Sequence, residues 1–256
     1  MPDDIIFEAR KWGTEVYSSI QMYWHLHVFM KEDRIQEHAQ AHNSRKGAKV
    51  VEGGMLFEDG TISPISDDDF EPDAHTIILS PEEITVNLRK AGQTHNRQMI
   101  VVSSTYIELI LRDFLRVIFC KFPNRMYDYL NEGNGGKGLV SLKTIVKATS
   151  ISDLLDSLSE QAASNALKGK LKSQLNNLNR IAPEQVIPQY LQDKLIKIVE
   201  LRNRIVHEAS QVQISEEDVG QTLDVCLELI ASLAEAAVKC DISLDIPKDQ
   251  DEEFPF

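Results

Sequence analysis

The stretch Glu200-Leu201-Arg202-Asn203-Arg204-Ile205-Val206-His207-Glu208 holds the residue types needed for acid–base work at a phosphate ester. Histidine titrates near neutrality and can carry a proton in either direction. Arginine keeps its charge and presents a fork of donors matched to phosphate oxygens. Asn203 adds a neutral group able to orient His207 or a hydroxyl. No carboxylate cluster in the chain is spaced for two metal ions. A proton carrier (His207) beside a phosphate clamp (Arg202) therefore points to chemistry that uses no metal and no cofactor.

These residues require a helix to position them, and the spacing predicts one that begins at about Pro188. At ~100° per residue, Leu191, Leu195, Ile198, Val199, Ile205, Val206 and Ala209 form one apolar stripe with Arg202 near its middle. Glu200, Asn203 and His207 line up on the neighbouring side. A guanidinium on a packed face must meet a carboxylate, a phosphate or open water, because burying it alone is costly. Asp113 and Glu108, on another apolar segment, are the candidate supporting partners for Arg202. Glu200 is expected to pair with Arg204 one turn on. Arg202 and His207 stand about 7.5 Å apart along the axis and point to different sides, so two facing copies would enclose a phosphate better than one.

The segment carrying Asp113, Met99 to Phe122, is apolar nearly all round apart from a charged seam of Glu108, Arg112 and Arg116, as suits a central helix. Further helices are expected between Leu139 and Asn179, with starts near Ser150 and Ser152. A last one follows Ser215-Glu216-Glu217-Asp218, which has the form of a capping box. Earlier in the chain, about Thr14 to Ala41 reads as a helix, and Asp59-Gly60 between Met55-Leu56-Phe57 and Thr61-Ile62 reads as a hairpin turn. Ser80-Pro81-Glu82-Glu83 reads as a helix start that Gly92 would end. The chain is thus expected to be mainly α. A helical bundle from about residue 96 to 240 would follow an accessory region of residues 1–95, which holds a helix and a short β-hairpin. An acidic tail over residues 241–256 would close it.

Arg202-Asn203 with His207 after four intervening residues resembles the defining motif of the HEPN superfamily, and it lies where that family carries it, late in the penultimate long helix of a helical bundle. The resemblance implies a small domain that dimerises so that two motifs form one cleft. In many members that cleft is a metal-independent endoribonuclease, in which a base takes the 2′-hydroxyl proton, an acid protonates the departing 5′-oxygen and a cation stabilises the phosphorane. Carried onto this chain, His207 is acid or base, Arg202 the phosphate clamp and Asn203 the orienter. The implied partners are RNA and a second copy of the chain, with an antitoxin or another regulatory protein where the context is a toxin or phage-defence system. In toxins neutralised by a nucleotidyltransferase, a Tyr stands two residues after the His; here Ala209 stands there. Other members bind nucleotides, RNA or proteins without cleaving anything. The alternative is a module of that kind, with Arg202 a structural cation satisfied by Asp113 or Glu108.

A net charge of −13 and pI near 5.0 exclude a protein that coats nucleic acid by charge alone, so any RNA contact must be local. The start Met1-Pro2-Asp3-Asp4 lacks the form of a signal peptide, no segment reads as a membrane span, and Cys120, Cys226 and Cys240 lack metal-ligand spacing, so the protein is expected in the cytosol. His38 and His42 stand at i and i+4 as two metal ligands could, but nothing completes a metal motif. Asp67-Asp68-Asp69 reads as a solvated turn, and the Gly-rich run from Gly133 to Gly138 with Lys137 as an interhelical loop.

Overall fold

The computed structural model describes residues 5–29, 34, 37, 48–51, 54–57, 62–63, 81–130, 140, 142–182, 186–208 and 211–245. The chain divides into two compact units: residues 1–20 with 97–256, and residues 21–96. The first twenty residues thus belong with the bundle.

In the bundle unit, β1 (Ile6–Phe7) pairs in parallel with β5 (Ser243–Leu244), and α1 (Ala9–Phe29) starts directly after β1. Asp245 accepts from the backbone N–H groups of Arg10 at 2.7 Å and Lys11 at 3.0 Å, which supplies an acid to the first turn of α1. Residues 241–245 are therefore tied to the N-terminal segment, a correction to the tail expected from residue 241; residues 246–256 lie outside the described residues.

The core element is α2 (Pro81–Lys121), whose Ile107, Ile110, Leu111, Phe114, Leu115, Ile118 and Phe119 are fully buried. Burial of each such side chain stabilises by about 1.5–3 kcal/mol relative to leaving it in water. Its 41 residues run straight through Gly92, where the sequence reading placed a helix end. One interior glycine costs about 1 kcal/mol against alanine. Anchoring just beyond Gly92 offsets that: Tyr23 stacks on His95 with centroids 5.5 Å apart, and its hydroxyl donates to Asn96 Oδ1 at 3.1 Å.

After α2 come α3 (Leu142–Lys147), α4 (Ile151–Ala166), α5 (Leu171–Ile181), α6 (Gln189–Glu208) and α7 (Glu216–Lys239). Ser150 Oγ accepts from the Asp153 N–H at 3.0 Å to cap α4. Ser215 and Asp218 form the complete capping box expected at the start of α7. The seam Val219, Leu223, Cys226, Ile230, Leu233 and Ala237 of α7 is buried throughout. Complete burial pushes the Cys226 thiol up to about 12, consistent with a small core side chain whose Sγ donates to the Ser103 carbonyl.

In the other unit, β2 (Ala48–Val51), β3 (Gly54–Phe57) and β4 (Ile62–Ser63) make an antiparallel sheet in that order. The β3–β4 register, Met55 opposite Ser63 and Leu56 opposite Ile62, is the expected hairpin, and β2 adds a third strand that the reading did not anticipate. The Asp59-Gly60 turn, Asp67-Asp68-Asp69, the Gly133 to Gly138 run, His38 and His42 lie outside the described residues. Among the described residues, no helix is long and apolar enough to cross a membrane.

Candidate functional site

The chain enters α6 through Ile187 and Pro188. Gln192, itself buried, donates from Nε2 to the Ile187 carbonyl at 2.8 Å and fixes the entry angle. Leu191, Leu195, Ile198 and Ile205 are buried on one stripe, and α6 packs against both α5 and α7. Lys194 Nζ meets the two Glu228 carboxylate oxygens at 2.9 and 3.0 Å, pairing the early part of α6 with the middle of α7. The two helices are thus antiparallel neighbours, and the last turns of α6 stand beside the capped start of α7.

Arg202 follows the register of Ile198 and Ile205, which are buried, but is itself only half-buried. Its Nη1 donates to Asn203 Oδ1 at 3.2 Å. Asn203 and His207 are exposed, and so is Val206 at 52%, although the apolar stripe placed it on the packed side. Val206 stands at the stripe's edge, so the actual width of the buried face decides its fate. The last turns of α6 thus present a guanidinium, a carboxamide, an imidazole and an apolar side chain together.

The carboxylates foreseen as supports are elsewhere. Asp113 accepts from Trp12 Nε1 at 3.0 Å and from Arg116 Nη2 at 3.1 Å, while Arg116 Nη1 reaches Asp156 at 2.8 Å. Asp113 therefore serves a network joining α1, α2 and α4, a correction to its proposed pairing with Arg202; a neighbour three residues away on its own helix is the nearer cation. Glu108 is exposed and makes no ion pair among the described residues; Arg112 of the same seam pairs with Glu160. Glu200 and Arg204 are both exposed and do not form the i, i+4 pair expected of them, as befits side chains that gain little from pairing in water.

His25 is exposed, whereas His27 is buried and stacks on Tyr23 with centroids 5.7 Å apart. Among the described residues, no group of three or more His, Cys, Asp or Glu side chains is arranged to hold a metal ion.

No curated protein and no solved structure matches the chain. Residues 69–239, most of the chain, match the family model described as RiboL-PSP-HEPN, and the match takes in α2 and every helix through α7, including Arg202, Asn203 and His207. With its helical bundle and this match, the chain belongs to the RiboL-PSP-HEPN family of the HEPN superfamily.

Proposed function

We propose that the protein is an endoribonuclease that cleaves RNA by attack of the 2′-hydroxyl, without a metal ion, in a cleft built from the α6 termini of two copies. The observation that carries this reading is the state of Arg202: it is only half-buried and bonded to the neutral Asn203, and no carboxylate pairs with it among the described residues. A cation left in that state keeps its charge for a phosphate. Exposed His207 then exchanges the proton, and exposed Val206 gives the facing copies an apolar contact beside the polar groups. Family membership supports the same reading. A toxin or defence role fits, with the unit of residues 21–96 sensing or restraining the nuclease.

The test uses purified protein and total cellular RNA with EDTA present. Cleavage should persist, leave a 2′,3′-cyclic phosphate and a 5′-hydroxyl, and stop when the scissile nucleotide carries a 2′-deoxyribose. Cleavage that needs a divalent ion and ignores His207→Ala would refute the mechanism. RNA binding with no cleavage would replace the nuclease by a binding module.

A further inference from the structure

Between Glu160 and Glu184 the sequence contains no acidic residue, in a chain that has 40 of them, and the same interval carries Lys168, Lys170, Lys172 and Arg180. The structure leaves all four cations exposed. Leu171, Leu175, Leu178 and Ile181 are the buried face of α5. Lys172, Asn176 and Arg180, spaced one turn apart, form the opposite, exposed face. The turn before α5 is held in place: Gln174 Nε2 donates to the Gly169 carbonyl at 3.0 Å, and Asn177 Nδ2 donates to the Ala166 carbonyl at 2.7 Å. Gly169 has φ +95°, a backbone state that other residues enter only with strain, and it sets exposed Lys168 and Lys170 on either side of the turn. None of the four cations forms an ion pair among the described residues, whereas Lys11, Arg112, Arg116 and Lys194 all do.

We infer that the outer face of α5 and the turn before it bind the phosphate backbone of single-stranded RNA and lead it toward Arg202. The inference rests on the proposed reading of the α6 terminus for what the strand is delivered to, and on the α5 cations alone for the binding. Helices in contact and joined by seven residues run as antiparallel neighbours, and α5 is about 16 Å long. An equal distance back along α6 reaches Val199 or Glu200, one turn from Arg202. Unpaired lysines on a fixed turn keep their counterions until a phosphate displaces them, and that release favours binding. The exposed amide of Asn176 lies between the cations, where it can reach sugar or base edges. The arrangement also explains how a chain of charge −13 touches a polyanion: one acid-free stretch of the chain makes the contact.

The experiment measures anisotropy of a fluorescein-labelled oligouridylate RNA with protein carrying His207→Ala, so that no turnover interferes. Lys168→Gln/Lys170→Gln/Lys172→Gln in that background should weaken binding at least about tenfold near 0.1 M salt and lower the log–log salt slope by about 2, from roughly 0.7 per phosphate contact. A control triple, Lys143→Gln/Lys147→Gln/Lys239→Gln, changes net charge equally at exposed positions and should leave the slope unchanged. Circular dichroism melts show that both triples fold. Equal losses in the two triples, an unaltered slope in the first, or RNA affinity too weak to measure at 50 mM salt would each overturn the assignment. Binding that follows the α5 lysines in a protein that never cleaves RNA leaves this inference standing and removes the nuclease reading.

Discussion

Arg202 Nη1 bonds its sequence neighbour Asn203 at 3.2 Å, and Asp113, its expected partner, is taken by Arg116 and Trp12. Removing the guanidinium therefore orphans no buried carboxylate among the described residues. Arg202→Ala should change unfolding free energy by about 1 kcal/mol or less, as at other partly exposed positions, while lowering cleavage by roughly 10²–10³ as loss of a charge-stabilising donor does. Urea titration beside the RNA assay checks both. A loss of several kcal/mol would return Arg202 to a structural role.

Asp113 should behave in the opposite way. Its side chain is 11% exposed and holds an indole N–H and a guanidinium, so Asp113→Ala leaves two donors short of an acceptor. The expected destabilisation is about 1–3 kcal/mol, with Arg116 partly compensated by Asp156. RNA cleavage per folded molecule should stay unchanged. A selective loss of activity with stability intact would place Asp113 at the site after all.

The contrast between these residues shows where sequence reading reaches its limit. The Ser215–Asp218 box and the α7 seam depend on spacing within one segment and are formed as read, and the α6 stripe is buried at Leu191, Leu195, Ile198 and Ile205 but not at Val206. Asp113 depends on what is opposite it, and only tertiary packing brings Trp12, 101 residues away, within 3.0 Å. Gly92 does not end the helix because a local break signal is worth about 1 kcal/mol and the contacts of Tyr23 with His95 and Asn96 outweigh it. The parallel pairing of β1 with β5 has no local signature, since each strand is two residues long. The acid-free interval from Gln161 to Pro183 is legible in the sequence, but it reads as a plain helical stripe until Lys168, Lys170 and Lys172 are seen exposed and without ion pairs among the described residues.

His95 makes stability depend on pH. Burial, followed by the nearby His27, lowers its pKa from the ordinary value of 6.5. The unfolded chain therefore takes up a proton at this residue at a higher pH than the folded chain does. The contribution of neutral His95 is complete above the ordinary histidine pKa and is lost as pH falls through the lowered value. Melting temperature should drop between pH 7 and 5, and His95→Gln should flatten part of that dependence even if it lowers stability at pH 7 by disturbing the stack on Tyr23. An identical pH profile in the variant would remove His95 as a contributor.

A composite site would make a demand that a single-chain site does not. Arg202 and His207 lie about 7.5 Å apart along α6 and roughly 140° apart around it, so one phosphate touched by both is better met by Arg202 of one copy and His207 of the other. Arg202→Ala and His207→Ala proteins should each be inactive alone. Co-expressed with different tags and purified through both, they form a mixed dimer holding one intact Arg202 and one intact His207 on separate chains. If those two groups act across the interface, that species cleaves RNA at an appreciable fraction of the wild-type rate. Light scattering on the same sample reads the mass. A monomer ends the composite site, and an inactive mixed dimer shows that both groups must come from one chain or that both copies of each are needed.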